Sequence, residues 1–235
     1  VEKKNIKGEV FDFLKDLVII GIIVLIIRTF LAEPFQISGQ SMYSSYYDKE
    51  FIIVDRFSYL NIPGVKQSNI NRGDVIVFKP GVSENKEYFL KRIIGLGGDT
   101  IKIKDGNVFL KKNGKNEYKK LDEKYLNSEN YGNTKIGILK TESIFKVPEN
   151  KFFVMGDNRN HSSDSRTCFS SSCSFSQRDS FITSSDMIGK LFIDLGYFNF
   201  KNFSFTNSGN HSFSETKGIN TMPRWLDSPS TFDYE

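Results

Sequence analysis

The sequence predicts a mainly β protein: an antiparallel β-sheet domain with a smaller inserted β-rich lobe, preceded by one N-terminal transmembrane helix. Three observations predict it. Short runs rich in β-branched and aromatic residues recur along the chain. The stretch IKIKDGNVFLKK has the alternation and turn residues of a hairpin. No sustained helical periodicity follows Ala32, whereas residues 17–27 (LVIIGIIVLII) form an unbroken apolar run.

The apolar run alone would rise only about 16 Å as a helix, short of a hydrocarbon core of roughly 30 Å; residues 10–32 would rise about 35 Å. Lys15 and Arg28 then fall near opposite interfaces, where cationic stems snorkel. Asp12 and Lys15, three apart, can pair on one helix face. Pro34 disfavours helix at Glu33 and ends the segment. A cleavable secretory leader is the competing reading, but Phe30 and Ala32 would occupy its two small-residue positions, and Phe30 is too large. Lys3, Lys4 and Lys7 lie ahead of the span, so residues 1–9 are expected on the cytoplasmic side and everything after residue 32 outside it.

Strands are expected at residues 51–54, 75–78, 152–155 and 188–193. In the hairpin, Ile101 and Ile103 alternate with lysines, and Asp105-Gly106 supplies a type I′ turn before Val108 and Leu110 return. Asn113-Gly114 offers a second such turn. Residues 104–146, more polar and Lys-rich, read as the inserted lobe within an extracytoplasmic domain of residues 33–198. Residues 199–235, rich in Ser, Asn, Thr and Phe, read as an irregular tail in which Trp225 is a candidate for attachment.

A net charge of +4 without a basic stripe is too mild to imply a nucleic-acid partner, and 26% charged against 38% hydrophobic residues marks most of the chain as globular, not disordered. Cys168 and Cys173 match neither a CxxC redox pair nor a four-ligand zinc set; a small disulfide loop and two free thiols both remain open.

Four blocks carry the chemistry: SGQSM at 38–42, RGDVIVF at 72–78, KRIIGLGGD at 91–99 and GDNRNHSSDSR at 156–166. In this order, behind an N-terminal span, they closely resemble the bacterial type I signal peptidases (leader peptidases), over roughly residues 10–196. The resemblance implies a serine endopeptidase that uses lysine in place of histidine as base. It implies Ser41 as nucleophile, with its backbone N–H an oxyanion donor, and Lys91 as general base. Ser162 would hydrogen-bond and orient the Lys91 amine. Asp164 and Arg166 match an ion pair of the family motif that braces the site, and Asp157, Asn158 and Arg159 would hold the same loop. The implied substrate is an exported precursor whose N-terminal signal peptide has small residues before the cut, added as a strand to a sheet edge. The implied location is the plasma membrane, crossed once, with the catalytic domain on the periplasmic face and the lipid bilayer as the other partner. No metal or organic cofactor is implied, and no oligomeric state.

Elementary chemistry supports a lysine base only under one condition. A serine hydroxyl needs a neighbour to take its proton, and an amine does so only when neutral. Burial disfavours the ammonium and lowers a lysine's ordinary value of about 10.4. Phe89 and Ile93 project on the same side of a strand as Lys91, so that side is expected to be apolar, while Arg92 points the other way and is expected at the surface. Met42, beside the nucleophile, is expected at a membrane surface or in a substrate cleft. His161, with Asp157 and Asp164 near it in sequence, offers a competing Ser-His-Asp arrangement. The chain also departs from the family pattern: Gly39 stands where some members have a serine, Tyr43-Ser44-Ser45 where x-Pro-Thr is usual, Gly97 where proline is usual, and residues 167–180 replace a shorter, more aromatic link. Such departures leave a related Ser-Lys peptidase with one dedicated partner, or an inactive β-rich binding domain, as alternatives.

Overall fold

The computed structural model describes residues 6–26, 32–43, 45–56, 70–80, 87–136, 142–169, 180–199, 201, 203–206 and 224–225. It is mainly β and antiparallel, as the sequence predicts. One helix, α1 (Ile6–Ile26), precedes strands β1 (Ala32–Gln36), β2 (Phe51–Asp55), β3 (Val75–Phe78), β4 (Phe89–Gly95), β5 (Thr100–Lys104), β6 (Asn107–Lys111), β7 (Lys119–Lys120), β8 (Glu142–Lys146), β9 (Lys151–Met155), β10 (Ile182–Thr183), β11 (Met187–Asn199), β12 (Ser204–Thr206) and β13 (Arg224–Trp225). The larger sheet runs β1-β2-β11-β3-β4-β9-β10, with β12 and β13 also on β11; the smaller runs β7-β6-β5-β8.

Lys7, Glu9, Asp12, Lys15 and Asp16 fall in the first half of α1, leaving ten apolar residues at its end. No helix among the described residues is long and apolar enough to cross a membrane. Residues 27–31 of the expected span lie outside the described residues. Ala32, expected to close the span, belongs instead to β1, opposite Asp55. Lys15 donates to Asp12 over 3.2 Å, as their spacing predicts; both are exposed, so the pair stabilises by well under about 1 kcal/mol. Pro34, which cannot donate to a ladder, sits in β1 at the sheet edge.

The Asp105-Gly106 turn forms as predicted. Both residues have positive φ (49° and 75°), and Lys104 pairs with Asn107 across it. A Cβ at Gly106 would also overlap the Gly132 carbonyl, so two separate requirements select glycine. Asn113-Gly114 turns the chain but does not make a second two-residue hairpin, because β6 next pairs at Leu110↔Lys119 across a longer loop.

Three apolar clusters hold the domain together. One lies between the sheets, where Ile94, Phe153 and Met155 of the large sheet meet Ile101, Ile103, Val108 and Leu110 of the small one. A second packs Ile37 and Met42 on Ile52, Val54, Val75, Val77 and Leu191. The third gathers Ile76, Phe78, Ile93, Val154, Phe169 and Ile182, with Phe89 partly buried against it. Each fully buried side chain of this size contributes about 1.5–3 kcal/mol. Met42 is 2% exposed in the second cluster, so it is a core residue and not the surface or cleft residue expected of it.

Candidate functional site

The site lies where two loops meet the middle of the large sheet. Lys91 is on β4, whose neighbours place Ile76 directly opposite it on β3 and Arg92 opposite Met155 on β9. Ser41 is in the loop joining β1 to β2, at a turn closed by Tyr43 N–H donating to Gln40 O. The loop enters at Gly39, where φ is +100° and the backbone N–H donates to Asp48 Oδ1 over 2.7 Å. A serine at that position would strain the backbone, which accounts for the glycine.

Lys91 Nζ is 2.6 Å from Ser41 Oγ, a hydrogen bond between residues fifty apart in the chain, and it donates to Leu90 O over 2.9 Å. The lysine is 2% exposed. Burial lowers its pKa to about 8; Asp164 and then Asp157 oppose that by favouring the ammonium, and Arg166 assists it. Burial also pushes the Asp164 carboxyl up, but Arg166, the Gly156 N–H and the Lys91 charge outweigh this and hold it below the usual carboxylate range.

The loop after β9 holds Ser41 from the other side. Asn158 N–H donates to Ser41 O over 3.0 Å, and its Nδ2 donates to Gln40 O over 3.0 Å. The side chains around it anchor the loop. Asp164 caps the 3-10 turn Ser165–Thr167, accepts from Gly156 N–H over 2.9 Å and binds Arg166 through two hydrogen bonds of 2.9 and 2.7 Å. Arg159, fully buried, binds Glu123 and Thr134 and so ties the loop to the segment that follows β7.

Arg92 corrects an expectation. It does point away from the Lys91 side, but into protein: it is 3% exposed, binds Asp157 at 2.9 and 2.6 Å, donates to Gly73 O over 2.8 Å and stacks on Tyr125 at 4.0 Å. Asp157 therefore reaches the site through β4. The glycine–aspartate blocks hold further partners that sequence reasoning passed over. Arg72 makes two hydrogen bonds to Asp99, at 2.8 and 2.9 Å, and Lys190 lies 2.6 Å from Asp74. The available signal was an acidic residue bordering an apolar strand, which is buried by its neighbours and needs a cation.

Ser162 is beside the dyad but is not bonded to it. Its Oγ is buried with no hydrogen-bond partner among the described residues. Gly156 explains the spacing, since a Cβ there would overlap both Ser162 Oγ and the Ser41 carbonyl oxygen. Gly156→Ala is accordingly expected to displace Ser41 and lengthen its contact with the Lys91 amine, a crystal structure of the variant being the check. His161 is exposed, 3.9 Å from Glu129, and makes no hydrogen bond to Ser41. Cys168 is disulfide-bonded; Cys173 lies outside the described residues.

The family model described as signal peptidase, peptidase S26, matches residues 10–195, most of the chain and all four blocks. The chain belongs to the signal peptidase family, peptidase S26. Signal peptidase I P of Bacillus subtilis subsp. natto is 36% identical over 168 residues, 70% of this chain and 83% of that protein. Signal peptidase I of Bacillus licheniformis is 36% identical over 164 residues, 69% and 81% of the two chains. A crystal structure of a signal peptidase I from Enterococcus faecalis superposes with a TM-score of 0.38 at 26% identity, covering 53% of this chain and 97% of that one. As a peptidase S26 member the chain is a serine endopeptidase. That fits a site whose hydroxyl and amine are joined directly, while His161 is exposed and lies beside Glu129.

Proposed function

We propose that this signal peptidase removes N-terminal signal peptides from exported precursors, with Ser41 as nucleophile and Lys91 as general base. The contact of 2.6 Å between the hydroxyl and a buried amine supports the reading above all else. Neutral Lys91 takes the Ser41 proton as Oγ bonds to the scissile carbonyl carbon. The carbonyl oxygen gains negative charge opposite the Ser41 backbone N–H, which no described residue accepts. The ammonium then returns the proton to the departing amine, and water, deprotonated by the same amine, hydrolyses the acyl-enzyme. Asp157, Asn158, Arg159, Asp164 and Arg166 position the loops that carry these groups. Ser162, whose buried hydroxyl has no hydrogen-bond partner among the described residues, is the group proposed to orient the amine when substrate is bound. The Cys168 disulfide is proposed to close on Cys173, the chain's one other cysteine.

The same proposal places the chain in the plasma membrane through a span that starts at residue 10 and ends before β1 begins at Ala32, with residues 1–9 cytoplasmic and residues 33–198 on the outer, periplasmic face. Residues 104–146 are its inserted lobe and residues 199–235 its tail. The exposed apolar side chains between Leu17 and Val24 of α1 support a membrane contact.

Cleavage of a synthetic signal-peptide substrate tests the assignment. Ser41→Ala is expected to lower kcat by about 10⁴-fold or more, and His161→Ala to leave it within about twofold. Wild-type kcat/KM is expected to rise with pH through a midpoint near 8, because Lys91 works only after losing its proton. A flat profile with chemistry limiting, or a large loss in His161→Ala, would remove lysine from the role of base.

A further inference from the structure

Lys91 shares its face of β4 with Phe89 and Ile93, and the third apolar cluster covers that face. The Lys91 amine lies 5.4 Å from the centre of the half-buried Phe89 ring. Phe89 packs in turn on Phe78, opposite it on β3, with ring centres 5.9 Å apart. Phe169 completes the group: its ring meets Phe78 edge-on at 5.5 Å and Phe89 edge-on at 6.1 Å, and it is 4% exposed.

Phe169 comes from outside the sheet, three residues beyond Arg166. Cys168 and Phe169 have consecutive left-handed backbones, with φ of 52° and 56°. Bulky residues avoid that region, and here the turn imposes it: Asp164 O accepts from both Thr167 N–H and Phe169 N–H, each over 3.0 Å. The Asp164 cap thus drives an aromatic ring onto the rings beside Lys91. The charged groups facing the amine are Asp157 from the loop after β9, and Asp164 and Arg166 from the turn itself; Ile76 faces it from β3.

We propose that Phe169 is a positioning residue for the reaction, its ring pinning Phe89 over the Lys91 amine and excluding water from it. The inference rests on Lys91 acting as the base. Without the ring, Phe89 gains freedom, water reaches the amine and the ammonium becomes easier to form.

Phe169→Gly and Phe169→Asn both suit a left-handed backbone, so either variant tests the ring without breaking the turn. Both are expected to move the kcat/KM midpoint up by about half a pH unit to one unit, lowering kcat/KM at pH 7 about three- to tenfold while leaving the alkaline plateau within about twofold. Phe169→Leu, which stays apolar, is expected to keep the wild-type midpoint. NMR titration of the Lys91 side chain in Ser41→Ala protein, with and without Phe169→Gly, should show the same upward shift without relying on turnover. An unchanged midpoint in the Gly and Asn variants, or a rate lowered by one factor at every pH, overturns the role of Phe169. A wild-type profile with no midpoint near 8, or an active Ser41→Ala enzyme, overturns the base assignment instead, so the two failures are distinct.

Discussion

Lys91→Met is expected to abolish cleavage and raise the melting temperature together. The folded protein lowers the Lys91 pKa from 10.5 to about 8, mainly by burial. Below pH 8 the amine is protonated in both states, and the folded state carries the whole cost of a buried ammonium, roughly 3 kcal/mol at about 1.4 kcal/mol per pH unit. Between pH 8 and 10.5 the unfolded chain binds the extra proton, so wild-type stability rises with pH across that window. Methionine removes the cost but also two hydrogen bonds, to Ser41 and Leu90 O, each contributing about 1 kcal/mol. The net gain near pH 7 is about 1–2 kcal/mol, or roughly 2–8 °C for a chain of this size. Thermal melts from pH 6 to 10.5 check it: the advantage of the methionine variant should shrink steadily above pH 8. A variant that melts lower than wild type at pH 7, or a gap that ignores pH, would contradict a strained buried amine. Lowering the value to about 8 also raises the neutral fraction at pH 7 about 300-fold over an unperturbed lysine, so the same cost in stability supplies the reactive form.

Asp157→Ala is expected to be among the most destabilising single changes in the chain, at about 3–5 kcal/mol, because it leaves the Arg92 guanidinium buried and unpaired. Activity should fall as well, since Asn158, the next residue, holds the Ser41 loop through two hydrogen bonds. Arg92→Met with Asp157→Leu should cost less than the sum of the single changes, because neither charge is then left alone. Denaturant unfolding of the four proteins measures the coupling. Single losses below about 1 kcal/mol, or strict additivity, would show that the pair is not the brace described. The double variant should remain less active than its stability suggests, for Arg92 also donates to Gly73 O and stacks on Tyr125.

Much of the architecture was legible because its signals are local. Period-two alternation at Ile101 and Ile103 and the Asp-Gly turn need only neighbouring residues, and all of them behave as the sequence predicts. The apolar runs at residues 75–78 and 152–155 are strands for the same reason. Arg92 and Met42 were misread because exposure is not a local property. Arginine is usually solvated, and only the fold brings Asp157, sixty-five residues away, to its guanidinium. Met42 belongs to the core because the β1–β2 loop folds back over β2, β3 and β11, which no spacing in the loop reveals.

By itself the sequence determined the residue types and their order: a hydroxyl in SGQSM, an amine in an apolar strand, the polar block GDNRNHSSDSR, and a helix-then-β layout. Only the tertiary structure decided that the hydroxyl and the amine touch, that the amine is dry, and that His161 is exposed and makes no hydrogen bond to Ser41. The physical reason is that an amine's protonation depends on everything packed around it in three dimensions, whereas strand and turn propensities depend on the few residues beside them.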